Sequence, residues 1–198
     1  MTIPFPAKKY QVIYADPPWS FGGGGVYQDS NRPVRRTVDQ YGLMNTHDIC
    51  KLPVSDISAD DCLLFMWVTD QHIPDALDVM RAWGFRYCTV AFYWLKRYKS
   101  GALCSNVGCW TMKNVEQVLL GLKGKPMRFK KTRNIKQLVE AVRTVHSKKP
   151  DEIRQQIVKL VGNRTRIELF ARSTVPGWDS WGLEVPCITS SPVSHVEL

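Results

Sequence analysis

Gln11-Val12-Ile13-Tyr14-Ala15-Asp16-Pro17-Pro18-Trp19 is the stretch that decides the fold. Val12, Ile13 and Tyr14 favour a pleated, half-buried backbone, and the two prolines that follow extend neither a helix nor a ladder. A strand therefore ends on the Asp16 carboxylate. In open α/β sheets ligands bind at that carboxyl-terminal edge. A carboxylate beside proline carbonyls forms a rigid, acceptor-rich pocket suited to an amino group, with Trp19 placed to stack on a flat ring. The pocket fits the exocyclic amine of a nucleobase.

Working outward, strands are expected over 11–15, 62–68, 87–95, 116–122, 137–145 and 166–171, and helices over 46–51, 71–83 and 150–161. The segment 69–83 carries Ile73, Leu77 and Met80 on one face and closes at Gly84, a helix-stop signal. Pro150, Asp151 and Glu152 make a good helix start, because proline sacrifices no needed donor there and acids suit the positive end of the helix dipole. Strand and helix alternation predicts a Rossmann-like, doubly wound α/β sheet covered by helices. At 198 residues the chain reads as one domain over 1–186, with a Ser/Pro-rich tail over 187–198.

Hydrophobic residues are 44% of the chain, yet the longest useful apolar run, 63–68, is only strand-sized. Residues 1–9 contain no apolar signal core, so a cytoplasmic protein is expected. Six cysteines, at 50, 62, 88, 104, 109 and 187, include no Cys-x-x-Cys pair and no neighbouring histidine set. Reduced thiols and no metal are expected. The net charge of +9 points to a polyanionic partner. Lys123, Lys125, Arg128, Lys130, Lys131, Arg133 and Lys136 form a run without an acid, and Arg32, Arg35 and Arg36 form a second basic set. Both read as phosphate-tracking surfaces, with a solvated loop as the alternative for the longer run. Gly22-Gly23-Gly24-Gly25 lacks the Gly-Lys-Ser/Thr ending of a phosphate loop and, joined to Val26 through Val38, reads instead as a flexible flap.

Beyond Asp-Pro-Pro-Trp, the chain carries in order Tyr41-Gly42-Leu43-Met44, Leu63-Leu64-Phe65-Met66-Trp67-Val68-Thr69, Trp94-Leu95-Lys96, the segment 116–124, Ser147-Lys148-Lys149-Pro150-Asp151-Glu152 and Ile167-Glu168-Leu169-Phe170-Ala171-Arg172. These blocks resemble the MT-A70-type adenine-N6 methyltransferases, which use S-adenosylmethionine. The resemblance implies that Asp16, Pro17, Pro18 and Trp19 form the catalytic motif and that Tyr41 meets the target adenine as the flap closes. It also implies cofactor contacts from Asp16, Lys96, Glu168, Leu169, Phe170, Arg172 and Glu184. The motif order looks permuted, with the catalytic block first and the Lys149-Pro150 helix and cofactor strand last. One departure stands out: Gly182-Leu183-Glu184 replaces the family's usual Gly-Asn-Glu or Gly-Asn-Gln, and leucine cannot donate the ribose hydrogen bond.

On this reading Asp16 and the Pro17 carbonyl accept the two N–H groups of adenine N6, and Trp19 stacks on the base, flipped out of any duplex. Phosphate contacts fall to Arg32, Arg35, Arg36, Lys130, Lys131 and Arg133. DNA is the favoured substrate. The same reaction on RNA, and a nucleic-acid-binding subunit without activity, are the alternatives.

Overall fold

The computed structural model describes residues 3–20, 42–108, 110–144 and 148–186. Among them β1 (Tyr10–Ala15), β2 (Ser58–Val68), β3 (Arg86–Arg97), β4 (Val115–Lys123), β5 (Leu138–Val142), β6 (Arg166–Leu169) and β7 (Asp179–Trp181) form one sheet in the order β5-β3-β4-β2-β1-β6-β7. β1 pairs in parallel with β2 on one side and β6 on the other, and β7 continues the parallel run. β4 runs against both β2 and β3, and β5 lies parallel to β3 at the far edge.

Side chains alternate across a pleated strand, and β1 sends Ile13 and Ala15 into one core layer and Val12 and Tyr14 into the other. In the first layer α1 (Thr46–Cys50), α2 (Val54–Ile57) and α3 (Ile73–Ala82) bury Ile49, Val54, Ile57, Ala76, Val79 and Met80 against Leu64, Met66 and Val68. In the second, Ile153, Ile157 and Val161 of α4 (Asp151–Val161) pack on Leu63, Phe65, Trp67, Phe92 and Val118. A sheet covered on both faces is the doubly wound α/β class expected from the alternation, and it explains why 63–68 reads as one unbroken apolar run. Pro150 sits extended at the head of α4, and Gly162 ends that helix at φ 72°, a conformation that glycine takes without strain.

Several expected boundaries move for local reasons. The helix expected over 71–83 splits into a 3-10 turn, Asp70–His72, and α3, whose first turn holds Pro74. The strand expected over 137–145 pairs only over Leu138–Val142, at the sheet edge. The strand expected over 166–171 stops at Leu169 because Phe170 turns to φ 60°, which breaks the ladder. β7, α2 and the 3-10 turn Pro126–Phe129 are too short to show a period. The flap over 22–38 and the tail over 187–198 lie outside the described residues, and no described helix is long and apolar enough to cross a membrane.

Candidate active site

β1, β2 and β6 deliver their carboxyl ends to one edge, with Ala15 beside Met66 and Leu169, and Asp16 N–H donating to the Leu169 carbonyl at 3.4 Å. There Asp16 Oδ1 meets the Lys149 ammonium at 3.0 Å, immediately before α4. Lys149 also reaches Glu116 of β4 at 3.2 Å, and the other Glu116 oxygen accepts from Lys96 of β3. Four alternating charges, Lys96, Glu116, Lys149 and Asp16, thus converge from elements more than a hundred residues apart in sequence. Burial alone would push Glu116 up and Lys149 down, but their ionic partners outweigh it. Glu116 is held below 4.5 and Lys149 above 10.5, so both stay charged. Neither Glu116 nor Lys149 stood out from the sequence as a site residue. The one sequence signal for them was their place in two family-like blocks, Glu116 at the head of 116–124 and Lys149 just before Pro150.

The Asp-Pro-Pro-Trp turn is fixed by backbone bonds. Trp19 N–H donates to Pro17 O at 2.9 Å and Met44 N–H to Pro18 O at 3.0 Å, so each proline carbonyl keeps one lone pair. Trp19, expected to stack on a base, is only 7% exposed. Its indole N–H donates to the Trp67 carbonyl at 3.2 Å, and its ring lies on His72 with centroids 5.7 Å apart and planes 14° from parallel. Asp75 holds His72 through Nδ1 at 3.0 Å and itself accepts from Thr46 at 2.9 Å. Trp19 therefore anchors the turn into the core instead of presenting a face to ligand. Tyr41, Arg32, Arg35 and Arg36 lie outside the described residues.

Beside Asp16 a cleft opens, lined by Lys148, Lys149, Arg154, Glu168, Phe170, Arg172 and Ser173. The structure thus gathers Asp16, Glu168, Phe170 and Arg172 from the expected cofactor set. Leu169 is buried beneath them, and Lys96 sits in the ion network instead of lining the cleft. Glu184 is exposed 3.9 Å from Arg172, carried there past Gly182, where a Cβ would stand 2.3 Å from the Ala171 carbonyl oxygen. Both oxygens of Glu168 accept from Arg154 Nη1, at 2.9 and 2.8 Å, and Arg154 also bonds Asp151. Burial pushes the Glu168 carboxyl up to about 7, against the pull of Arg154. Sequence reasoning missed Arg154 because an arginine inside an amphipathic helix reads as solvent-facing.

The cleft fits a ligand with both charges and a ring. Arg172 and Lys148 suit a carboxylate, Asp16 suits a cation and Phe170 offers an apolar face, while Arg154 Nε is buried with no hydrogen-bond partner. S-adenosylmethionine has those features.

Lys130 and Lys131 stand elsewhere. β4 begins beside the network at Glu116 and ends at Lys123 against Cys62, at the opposite edge of the sheet, roughly 24 Å away along the strand. Lys131 N–H bonds the Leu160 carbonyl at 2.8 Å near the far end of α4, and Lys130 N–H bonds Met127 at 3.1 Å. Arg133 is exposed, and Arg128 is paired with Asp61 at 2.6 Å. A basic run in sequence is not gathered at the Asp16 edge in space.

A doubly wound sheet whose central strand carries Asp-Pro-Pro-Trp to a charged edge, beside a cleft for a zwitterionic, ring-bearing ligand, defines a Rossmann-like methyltransferase. Residues 10–184 match the MT-A70 family, and the chain belongs to it. It is 40% identical over 192 residues to Type II methyltransferase M.MunI of a Mycoplasma species, covering 91% of this chain and 80% of that protein. It is 28% identical to N(6)-adenine-specific methyltransferase METTL4 of Mus musculus and spans 38% of its length. It is also 28% identical to the N(6)-adenosine-methyltransferase catalytic subunit METTL3 of Homo sapiens, spanning 28% of it.

Proposed function

We propose that this chain transfers a methyl group from S-adenosylmethionine to the N6 amine of adenine in nucleic acid, with DNA the favoured substrate. The observation that carries the reading is the Asp16 carboxylate, held by Lys149 through one oxygen and presented at the strand edge beside the cleft. Family membership fixes the class of chemistry. The preference for DNA rests on the higher identity to a type II methyltransferase, 40%, than to an adenosine methyltransferase, 28%.

S-adenosylmethionine supplies an electrophilic methyl on a sulfonium. The N6 lone pair of adenine is delocalised into the ring and attacks poorly. The Asp16 carboxylate and the remaining lone pair of Pro17 O would accept its two N–H bonds, which draws the nitrogen toward tetrahedral geometry and aims its lone pair. The methylated nitrogen would give its proton to the Asp16 carboxylate or, through it, to solvent. Rate comes from positioning and from charge placed in advance. Lys149 keeps Asp16 in place, Trp19 holds the proline turn, and Arg172 with Lys148 takes the cofactor carboxylate. A target within a duplex is extruded before it can reach this edge.

Incubation with labelled cofactor and matched single-stranded DNA, duplex DNA and RNA, followed by nucleoside analysis, tests the reaction. N6-methyladenine from DNA supports the reading, and label only in RNA moves the substrate. No product from any of the three, with cofactor bound, leaves a binding subunit.

A further inference from the structure

We propose that the β3–β4 connection, residues 98–114, is a nucleic-acid docking arm, which stacks bases flanking the target on an apolar tip and holds their phosphates with lysines. The inference rests on the proposed reaction and names the surface that presents its substrate. Both feet of the arm stand in the charge network, since Lys96 lies near the end of β3 and Glu116 near the start of β4. Lys113 leans toward the same edge, with Nζ 3.6 Å from Asp70 just beyond the end of β2. The arm is therefore rooted at the Asp16 edge of the sheet, unlike Lys130 and Lys131.

It is also braced. Isolated bridges pair Arg97 with Leu103 and Asn106 with Lys113, Asn114 donates to the Cys104 carbonyl at 2.8 Å, and Arg143 of the neighbouring strand end donates to Asn106 at 3.3 Å. From this frame Val107, Trp110 and Met112 are 81%, 84% and 52% exposed. Three large apolar side chains exposed so close together, on one braced loop, mark an interaction surface. Its chemistry selects the partner: residues 96–114 contain Lys96, Arg97, Lys99 and Lys113 and no acid, and although Glu116, Glu140 and Asp70 of neighbouring elements pair with Lys96, Arg97 and Lys113, Lys99 is in none of these pairs. Aromatic and apolar side chains among cations are the means by which proteins hold unpaired bases and their backbone, and an inserted side chain also steadies a duplex from which a base has been removed.

Anisotropy of a short labelled duplex and of its single strand, with S-adenosylhomocysteine present and across a salt series, tests the arm. Trp110→Ser should weaken binding by at least about fivefold, the loss expected for one stacked base. Lys99→Gln with Lys113→Gln should flatten log K against log salt by up to about 2 units on duplex. Lys130→Gln with Lys131→Gln, at the far edge, should change both quantities less than either arm variant. Circular dichroism and the cofactor-induced Tm shift report that each variant is folded. Unchanged affinity and slope in both arm variants overturn the proposal, as does a change of oligomeric state by light scattering with nucleic-acid binding intact, which would assign the surface to a second copy of the chain. A wild type that binds nucleic acid yet methylates none defeats the proposed reaction, and the arm is then judged by binding alone.

Discussion

Replacing Lys149 with methionine removes the cation that, among the described residues, joins Asp16 at the end of β1 to β4, while keeping most of the side-chain volume. Its ammonium lies 3.0 Å from Asp16 and 3.2 Å from Glu116, with 16% of the side chain exposed. At an effective dielectric near 20, each contact attracts by roughly 5 kcal/mol before desolvation is subtracted. The upward displacement of the Lys149 pKa shows that attraction exceeds the cost of burial. Loss of one partner from a buried pair costs about 3–5 kcal/mol. Lys96 still neutralises Glu116, so the lower end of that range is expected. With about 2–4 °C per kcal/mol for a chain of this size, Tm should fall on the order of 10 °C.

The assay is thermal unfolding of wild type, Lys149→Met, Glu116→Gln and the double variant. The double variant should lose less than the sum of the singles, by a coupling of about 1–3 kcal/mol. The pH dependence has a definite sign. The raised Lys149 pKa contributes stability fully present below 10.5 and lost as pH rises beyond it; the lowered Glu116 pKa contributes stability present above 4.5 and lost as pH falls below it. The difference between wild type and the double variant should be level between those limits and shrink outside them. Additive single losses, or a Lys149→Met protein as stable as wild type, would refute the reasoning.

Asp16→Ala should slow methyl transfer by about 100- to 1000-fold while far-ultraviolet circular dichroism keeps its shape, and retention of more than about a tenth of the rate would remove Asp16 from the chemistry. Saturating S-adenosylmethionine should raise Tm by mass action, with a smaller shift in Arg172→Ala, and an equal shift in both proteins would take Arg172 out of the cofactor site. Glu168, raised from 4.5 to about 7, binds its proton more tightly folded than unfolded, so it withdraws up to about 3 kcal/mol of stability as pH climbs between those values. Denaturant titrations of Glu168→Gln should show that part of the wild-type slope gone, whatever the offset from the altered Arg154 contact, and parallel slopes would contradict the assignment.

Legibility in the sequence followed the range of the interactions. The β1 strand and its proline stop, the apolar run 63–68 and the start of α4 are each decided by neighbours in the chain, and they stand where the residues put them. Family resemblance carried Asp16, Glu168, Phe170 and Arg172 to one cleft edge. For Trp19 the motif says where the residue lies along the chain and not which way the ring turns; His72 and the Trp67 carbonyl, both distant in sequence, take the ring inward. The basic run over 123–136 is continuous in sequence, but β4 carries its first residue to the far edge of the sheet, a fact fixed by the antiparallel pairing of Cys62 with Lys123.

On the proposed reaction, the same topology explains why the charge network can sit beside the transferred methyl. Two cations and two anions alternate, so the set is neutral as a whole, and a cationic cofactor meets no net repulsion there. The order matters as much as the sum. Lys96 and Lys149 stand on either side of Glu116, whereas Asp16 ends the series and lines the cleft, bound to Lys149 through Oδ1. The series thus brings a carboxylate to the wall of the cleft, a charge suited both to a sulfonium and to an amine that must give up its N–H bonds. Glu116 would lose its role if β4 ran parallel to β2, because its position next to Lys149 requires β4 to begin at the edge where β1 ends. The single antiparallel strand inside an otherwise parallel sheet is therefore part of the active site's electrostatics.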